Sequence, residues 1–456
     1  MEVPLTSEQA WFLDVIHPAL WNPNLWTLTR LYKMPHDVDR RTLEGAIHDI
    51  WNSHSALRAQ FEHRHDGWRQ RIVDRSDSVP IRHFDARTIP RDQLRTVATQ
   101  IAAEVGRMVN VDSGTLARFA VVDPGADESP YLVVAAHHLV ADGISLSLLE
   151  RDLQAACTMR SSGKHFTSNS VPFEEYAHRI QEFSRSGELE GELDHWLNLP
   201  WGDLTRIPTR TPDYHADSVR QVCSQDIDIP ADTATRLAQE IPKILEVTEQ
   251  ELLLAAVADS VTSLTGRDIC IKVVHNGRAI TYGSASGNDD HEKAVRRHLL
   301  PPRVFNTVGW LATCGVVVLP RRGECDAATY MQRVRDVIRS VPNSGISFGL
   351  LRWLGHPDRM RRHIDDKGWG PQVHFNYFGQ APKKRDDRTF QRLRLPFEET
   401  YSTHTGAPEL NVRAQFHDEG LRMSWLHDGY LHEKSMVDTF MSRCRDALLE
   451  YSTIGG

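Results

Sequence analysis

The stretch from Tyr131 to Leu149 reads YLVVAAHHLVADGISLSLL. Its first six residues are apolar and predict a short buried strand, which ends at His137 and His138. Asp142-Gly143 then predicts a turn, and the apolar spacing after it predicts the start of a helix. The sequence therefore predicts two imidazoles at the end of a core strand, close to a carboxylate and a helix N-terminus.

Chance alone could place two histidines side by side in a chain that has 23 of them. Most histidines are surface residues or ordinary core residues. The full pattern His-His-x-x-x-Asp-Gly on a strand, a turn and a helix is much rarer. We therefore interpret it as a functional motif whose meaning depends on this structural context.

The overall composition is that of an ordinary globular protein. The 456 residues are 40% hydrophobic and 25% charged, and this length predicts two or three domains. A net charge of −8 argues against nucleic-acid binding by the chain as a whole. No apolar stretch approaches eighteen residues, and the acidic start lacks the basic region of a signal peptide. Six scattered cysteines without CxxC spacing indicate free thiols, so a cytoplasmic location is expected.

Strand and helix patterns alternate in both halves of the chain, which predicts an α/β fold. The clearest predicted strands are 26–32, 116–122, 131–136, 269–274, 308–319, 373–378, 393–397, 410–416 and 421–426. The clearest predicted helices are 38–53, 172–177 and its continuation, 231–240, 248–264, 327–340 and 433–451. Residues 199–217 predict a crossover between halves, and 283–291, GSASGNDDH, has the composition of a mobile loop.

An ordered set of motifs resembles the condensation-domain superfamily of nonribosomal peptide synthetases, which is related to chloramphenicol acetyltransferase. The histidine motif at 137–143 is the most specific of them. The others are LTSEQ at 5–9, HSALRAQF at 54–61, PFEEYA at 172–177, NGR at 276–278, NTVGW at 306–310, GISFGLLRWL at 345–354 and FNYFGQ at 375–380. The resemblance covers nearly the whole chain.

Three segments, 307–310, 348–352 and 375–380, are more similar to the epimerisation branch of this superfamily than to its chain-elongating branch. Epimerases of this type carry a glutamate in the segment before the Gly-Arg pair. Here that segment, 273–278, reads VVHNGR and has no carboxylate. Inverting a stereocentre most simply takes groups on two opposite faces, so condensation is favoured over epimerisation. The sequence shows no adenylation or carrier segment, and a free-standing condensation enzyme of natural-product or antibiotic biosynthesis is expected.

The resemblance implies two lobes, each like the acetyltransferase monomer, arranged as a V with a tunnel at their junction. The N-terminal lobe with the histidine motif is expected to span 1–176, and the C-terminal lobe 177–456. The coarse pattern agrees with two α/β halves of roughly 200 residues each, a plausible domain size.

The expected reaction joins a carrier-bound acyl thioester to an amine or an alcohol. His138 is the candidate catalytic residue, because an imidazole accepts a proton near neutral pH. An alcohol acceptor requires such a base, whereas a neutral amine needs only orientation and later loss of a proton. His137 alternates away from His138 along the strand and is expected to be structural.

The resemblance assigns supporting roles to three further residues. Asp142 matches the family aspartate that pairs with an arginine of the other lobe, and Arg278 matches that arginine. Gly143 permits close backbone approach, and the helix that follows offers N–H groups to a developing negative charge. The residues expected to line the tunnel are Asn306, Trp310, Asn376 and Gln380.

The resemblance implies no bound cofactor and no metal, because the acyl donor arrives on the phosphopantetheine arm of a carrier protein. The second partner is a small amine or alcohol acceptor, and neither nucleic acid nor a membrane is expected. The basic clusters Arg296-Arg297 and Arg359 to His363 are candidate contacts for an acidic carrier, or solvated faces. Three alternatives stay open: a non-catalytic recruitment module, an epimerase-like relative, and a coenzyme A-dependent acyltransferase. The segment Ala279–Pro302 has no assigned role.

Overall fold

The computed structural model describes residues 1–19, 22–75, 78–125, 128–209, 222–278, 302–364, 370–381, 390–395 and 410–455. They form two compact units, and each is discontinuous in sequence. The first unit is Met1–Phe183, Arg296–Ala312 and Lys384–Thr405; the second is Ser184–Val295, Thr313–Lys383 and Gly406–Gly456. The sequence-based division between residues 176 and 177 does not anticipate that two later segments join the first unit.

The described residues of the first unit form two sheets. Its strands are β1 (Glu2–Val3), β2 (Thr27–Lys33), β3 (Ala59–Arg64), β4 (Gly67–Ile72), β5 (Ile81–Asp85), β6 (Ala117–Asp123), β7 (Tyr131–His137) and, much later in the chain, β12 (Gln391–Leu393). Five of them form a sheet in the order β12-β2-β7-β6-β5, and three form a smaller sheet in the order β1-β4-β3. Among these described strand pairs, β5/β6 is parallel and the others are antiparallel.

The helices of the first unit are α1 (Ser7–Trp11), α2 (Arg40–Ser53), α3 (Leu94–Arg107), α4 (Gly143–Ser161) and α5 (Phe173–Arg185), whose last two residues fall in the second unit. All seven residues of β7 are buried, which explains why its sequence is a continuous apolar run without alternation. Apolar residues of α3 pack against this sheet and form one core with it. The end of β7 is therefore fixed by a well-packed layer.

The second unit is built on one mixed sheet. Its strands are β8 (Val222–Pro230), β9 (Ile269–His275), β10 (Thr313–Leu319), β11 (Val373–Gln380), β13 (Leu410–His417) and β14 (Gly420–Asp428). Their order is β10-β9-β11-β13-β14-β8, and β11 runs parallel to both of its neighbours. The turn Asp418-Glu419-Gly420 predicted from the sequence connects β13 and β14.

The helices of the second unit are α6 (Glu190–Leu197), α7 (Ala231–Thr235), α8 (Ile241–Leu245), α9 (Glu249–Thr265), α10 (Ala327–Ser340), α11 (Ile346–Leu350), α12 (Pro357–Ile364) and α13 (Lys434–Ser452). A capping box between Thr248 and Glu251 starts α9, and Gly266 in the left-handed region ends it. Leu, Ala and Val side chains on all faces of α9 are buried, as expected for a helix inside a core.

Most strongly patterned elements lie close to their predicted positions, and the α/β class is confirmed. The strand predicted at 308–319 is wrong in its first part, because β10 begins only at Thr313. Residues 307–312 form a loop in which the backbone N–H groups of Gly309, Leu311 and Ala312 bond to side chains. Of the strand predicted at 393–397, Leu393 is the last residue of β12, residues 394 and 395 are not in a strand, and residues 396 and 397 lie outside the described residues.

The patterns also missed several elements. Strand β5 has no apolar alternation, and helices α11 and α12 fall in a region for which no helix was predicted. The expected loop at 283–291 and nearly all of Ala279–Pro302, with the Arg296-Arg297 cluster, lie outside the described residues. Within the described part of the chain, none of the helices has the length and apolar character needed to cross a membrane.

Candidate functional site

The histidine motif forms a strand, one turn and a helix start, all within the first unit. His137 is the last residue of β7, and residues His138–Val140 form a single 3₁₀ turn. Asp142 then adopts an extended conformation as the N-cap of α4. Asp is a favoured N-cap because its carboxylate accepts hydrogen bonds from the first free N–H groups of a helix.

The buried carboxylate of Asp142 accepts hydrogen bonds at both of its oxygens. Oδ1 accepts from the backbone N–H and from the hydroxyl of Ser145, each at 2.8 Å. Oδ2 accepts from the backbone N–H of Leu311 at 3.1 Å and of Ala312 at 2.9 Å. Asp142 therefore fixes the start of α4 and, more than 160 residues later in the chain, the loop at 307–312.

Ser145 and Gly309 complete this connection. The Ser145 Oγ lies 2.8 Å from the carbonyl oxygen of Gly309 and accepts from the Gly309 N–H at 3.1 Å. A Cβ placed on Gly309 would lie 2.3 Å from Cδ2 of Phe173, far inside van der Waals contact. Only glycine fits here, which explains the glycine in the NTVGW motif by close packing.

His137 is fully buried and both of its ring nitrogens are hydrogen-bonded. Its Nδ1 accepts from the backbone N–H of Leu139 at 3.1 Å, and its Nε2 donates to the carbonyl oxygen of Pro23 at 3.0 Å. Burial lowers the pKa of His137 to about 3, against the opposing effect of the Pro23 carbonyl. The ring is therefore neutral at physiological pH and holds the turn that follows it.

His138 is half-buried and lies among aromatic side chains. Its ring centroid is 4.4 Å from that of Trp310 and 6.4 Å from that of Trp26. Trp11 and Phe12 pack edge-on against both tryptophans. The loop held by Asp142 thus places Trp310 directly against the candidate catalytic imidazole.

A hydrogen bond to a backbone carbonyl and one from a side chain fix the His138 turn. The His138 N–H donates to the carbonyl oxygen of Trp26 at 2.8 Å. The carbonyl oxygen of Leu139 accepts a hydrogen bond from Nε2 of Gln9 at 2.7 Å. Gln9 belongs to the LTSEQ motif and forms a capping box with Thr6 at the start of α1. That motif therefore supports the histidine turn directly.

A second polar network lies along α4. Nε2 of His54 is 3.1 Å from Oδ2 of Asp152, and both side chains are buried. Arg151 donates to the same carboxylate and, through Nη1, to Oδ1 of Asn306 at 2.9 Å. Burial raises the pKa of Asp152, but hydrogen bonds from His54 and Arg151 outweigh it and the net pKa is lowered. Asn306, one of the expected tunnel residues, is thereby tied to α4; Trp310 is the other expected tunnel residue in this unit.

Three sequence-predicted site residues belong to the second unit. Arg278 is buried, and its backbone N–H donates to Oδ1 of Asn276 at 2.8 Å in the turn after β9. Asn376 and Gln380 lie on β11; Asn376 is half-buried, and the exposed Gln380 donates to Oε1 of Glu249 at 2.9 Å. The ion pair of Asp142 with Arg278 would join the two units, and it stays a prediction, as does the tunnel.

Sequence reasoning missed three residues of the site. Gln9 was part of a recognised motif without a role, and Ser145 and Gly309 were not singled out. The only local signal was the spacing Asp-x-x-Ser at 142–145, which is typical of an N-cap. Among the described residues, no group of three or more His, Cys, Asp or Glu side chains is arranged to hold a metal ion.

Nearly the whole chain matches one protein family. Residues 1–453 match the model of the condensation domain, so the chain belongs to the condensation-domain family. A similar curated protein is chondramide synthase of Chondromyces crocatus, 24% identical over 450 residues, which are 95% of this chain and 11% of that protein. Bacitracin synthase 2 of Bacillus licheniformis is 23% identical over 397 residues, 86% of this chain and 14% of that protein. The chain spans only 5% to 17% of the length of the eight curated relatives compared with it.

Solved structures share the fold. The epimerization domain from the third module of tyrocidine synthetase B has a TM-score of 0.77 at 20% identity, over 99% of this chain and 97% of that one. A condensation domain that mediates chain release from the enacyloxin polyketide synthase has a TM-score of 0.72 at 17% identity, over 100% of this chain and 83% of that one. Since domains of different activity share the fold, the fold alone does not choose among them.

Proposed function

We propose that this protein joins a carrier-tethered acyl or aminoacyl thioester to an amine or alcohol acceptor, forming an amide or an ester. The observation that carries the proposal is the half-buried His138 ring, 4.4 Å from Trp310, on a turn fixed at its backbone by Trp26, His137 and Gln9. A half-buried imidazole beside aromatic rings, on a turn held by hydrogen bonds, suits proton transfer, because catalysis needs a base in a fixed place.

In the proposed reaction His138 takes the proton from the acceptor nitrogen or oxygen. The acceptor then attacks the thioester carbonyl carbon, and the carbon–sulfur bond breaks. The proton passes to the departing thiol, so that neither charge nor atoms are left over. The N-terminus of α4, beginning at the exposed Gly143, supplies N–H groups toward the negative oxygen that forms during attack.

The other site residues act through position rather than by proton transfer. His137, neutral and doubly hydrogen-bonded, holds the turn. Asp142 organises α4 and the Trp310 loop, and it also pairs with Arg278 in the proposed active form. Removing either member of such a buried pair costs roughly 3–5 kcal/mol, so loss of activity in an Asp142 variant would not make Asp142 a proton carrier.

The donor partner in this proposal is an acidic carrier protein with a phosphopantetheine arm, and no further cofactor takes part. Helix α12 carries Arg359, Arg361, Arg362 and His363. Arg361 and Arg362 are exposed, whereas Nε2 of His363 bonds to the carbonyl oxygen of Leu197 at 2.7 Å. Arg359 is exposed as well, with Nη2 3.9 Å from Oδ1 of Asp194, so the three guanidinium groups are the candidate carrier contacts of the cluster.

Reconstitution with an acyl-loaded carrier and a panel of amines and alcohols tests the proposal. His138→Ala should lower the rate of product formation by about 10²–10⁴-fold, the usual contribution of a general base. His83→Ala, on strand β5 and partly exposed, serves as the matched control and should keep full activity. Equal product from the wild-type and His138→Ala proteins would overturn the assignment.

Epimerisation is the second candidate, favoured by the similarity of segments 307–310 and 375–380 to the epimerisation branch. Its chemistry exchanges the proton on the α-carbon of a carrier-bound aminoacyl group. Incubation of the loaded carrier in D₂O distinguishes the two: deuterium in the recovered aminoacyl group, without a new bond, supports epimerisation. Turnover of acyl-coenzyme A in place of the loaded carrier would indicate the soluble-thioester alternative. Tight carrier binding without any turnover would indicate a recruitment module.

A further inference from the structure

We propose that Gln9 is a positioning residue for His138, acting through the backbone carbonyl of Leu139. This inference rests on the proposed function, in which His138 transfers the proton. Gln9 lies on α1, about 130 residues before the histidine motif, and it does not touch the reacting atoms. Its effect comes from the hydrogen bond that connects α1 to the turn carrying His138.

The side-chain amide of Gln9 is hydrogen-bonded at both its nitrogen and its oxygen. Nε2 donates to the Leu139 carbonyl at 2.7 Å and to Oε1 of Gln70 at 2.9 Å, and Oε1 accepts from the Thr6 N–H at 2.9 Å. Gln70, on β4, donates in turn to the carbonyl oxygen of Pro4 at 2.9 Å. Gln9 and Gln70 are both buried, and the three bonds of the Gln9 amide are shielded from bulk water.

This arrangement requires an amide at position 9. Two carbonyl oxygens face Nε2, and one N–H group faces Oε1, so the side chain must be donor and acceptor at once. A glutamate keeps the contact with the Thr6 N–H, because glutamate serves equally well in a capping box. It cannot, when ionised, donate to Leu139 or to Gln70. Gln9→Glu therefore removes the connection to the histidine turn and leaves the helix cap.

The Leu139 carbonyl is one of three backbone groups at the His138 turn that are held by the hydrogen bonds described here. The His138 N–H is held by the Trp26 carbonyl, and the Leu139 N–H by the His137 ring. Gln9 holds the Leu139 carbonyl, the side of the turn that leads on to Asp142. Without this bond the carbonyl must find another partner, and the 3₁₀ turn must move for it to do so.

A displacement of the order of 1 Å at a catalytic group costs up to about 10²-fold in rate. Gln9→Glu should therefore lower kcat by about 10- to 100-fold while KM stays within about twofold, because substrate binding does not use this bond. The matched control is Gln70→Glu, the same substitution one step farther from His138. It keeps the acceptor for Gln9 and loses only the donor to Pro4, so its kcat should stay within about twofold of wild type.

The histidine ring itself gives a readout that does not depend on turnover. In protein labelled with ¹³C-histidine, the His138 signal is identified by its loss in His138→Ala. Gln9→Glu should shift that signal and its titration midpoint, and Gln70→Glu should leave both in place. Circular dichroism confirms that each variant is folded; if Gln9→Glu does not fold, Gln9→Met replaces it with the same expected results.

Two results would overturn the inference: an unchanged kcat and His138 signal in Gln9→Glu, or equal losses in Gln9→Glu and Gln70→Glu. A failure of the proposed function is distinguishable from a failure of this inference, because His138→Ala itself would then keep full activity. In that case the spectroscopic shift still tests whether Gln9 holds the turn.

Discussion

Two buried strands, one in each unit, end in a histidine, and the turns that follow them differ. His137 ends β7 and His275 ends β9. Burial lowers the pKa of both, to about 3 for His137 and to about 4 for His275. Each strand is followed within a few residues by a glycine, Gly143 or Gly277. By local sequence the two places are alike.

The turn after β7 carries the candidate site. After β7, the Asp142 carboxylate and the Ser145 hydroxyl tie the turn to the Trp310 loop, and a second imidazole, His138, is left half-buried. After β9, Oδ1 of Asn276 accepts a hydrogen bond from the N–H of Arg278. His275 there lines a small, mostly apolar cavity with room for about one water molecule. The strand end at β7 differs in carrying a second, half-buried imidazole beside Trp310, on a turn connected to the loop at 307–312.

The strongest test of this comparison removes the Asp142 carboxylate, which connects the turn after β7 to the loop at 307–312. Asp142→Ala should lower the free energy of unfolding by about 3–5 kcal/mol, because two buried backbone N–H groups and the partly buried one of Ala312 lose their acceptor, at about 1–3 kcal/mol for each buried group. Chemical denaturation measures the change. Asp39, the N-cap of α2, is the matched control: it bonds to the N–H of Thr42 at 2.7 Å at an exposed position. Asp39→Ala should cost only about 1 kcal/mol.

Equal losses in the two aspartate variants would mean that Asp142 acts as a helix cap and nothing more. The connection between the start of α4 and the loop at 307–312 would then depend on Ser145 and Gly309 alone.

The next test changes the loop instead of the carboxylate. Gly309→Ala brings a methyl group against Phe173 and should lower the free energy of unfolding by about 1–3 kcal/mol. Because Trp310 follows directly, the proposed activity should fall with it. Gly191→Ala in α6 is the control, since its methyl group meets nothing within 4 Å. Alanine favours a helix, so that variant should gain up to about 0.5–1 kcal/mol. A fully active Gly309→Ala protein would show that the loop tolerates displacement.

The smallest expected effect concerns pH. His137 and His275 stay neutral in the folded chain down to pH values of about 3 and about 4, whereas the unfolded chain protonates them near 6.5. The unfolded state therefore binds more protons between these values, and stability present above pH 6.5 is lost as the pH falls. His137→Gln and His275→Gln should each flatten the dependence between pH 6 and 5 by up to about 1.4 kcal/mol per pH unit.

Denaturation curves at several pH values measure these slopes. If a substitution leaves the slope of unfolding free energy against pH unchanged, the pKa of the histidine at that position is not lowered in the folded chain. If the two substitutions change the slope by different amounts, the two strand ends lower the pKa of their histidines to different extents.

The sequence predicted those parts of the molecule that depend on neighbours in the chain. The apolar run of β7 and the Asp-Gly turn placed His137, His138 and Asp142 together, and the structure has them on one strand end and helix start. The helices at 248–264 and 327–340 were predicted within a residue or two, because capping residues and a 3.6-residue period mark them.

The remaining parts depend on contacts that no local pattern contains. The run Val308, Trp310, Leu311 has strand-like composition, yet the loop around it bonds to the side chains of Asp142 and Ser145. Strand β5, IRHFD, lies at a sheet edge with mostly exposed or partly exposed residues, and so shows no apolar alternation. The connection from Gln9 to Leu139 joins residues 130 positions apart. The number of residues between two positions does not tell whether they are in contact in the fold.

The strand β12 has a consequence for biosynthesis. Gln391–Leu393 pairs with Leu31–Lys33, so the five-stranded sheet of the first unit is completed by residues made some 360 positions later. The loop that reaches Asp142 is likewise made long after α4. A ribosome therefore releases most of the chain before the first unit has all of its parts, and nascent chains hold an unfinished sheet edge during that time. The histidine turn reaches its final form only after residues 307–312 have been made.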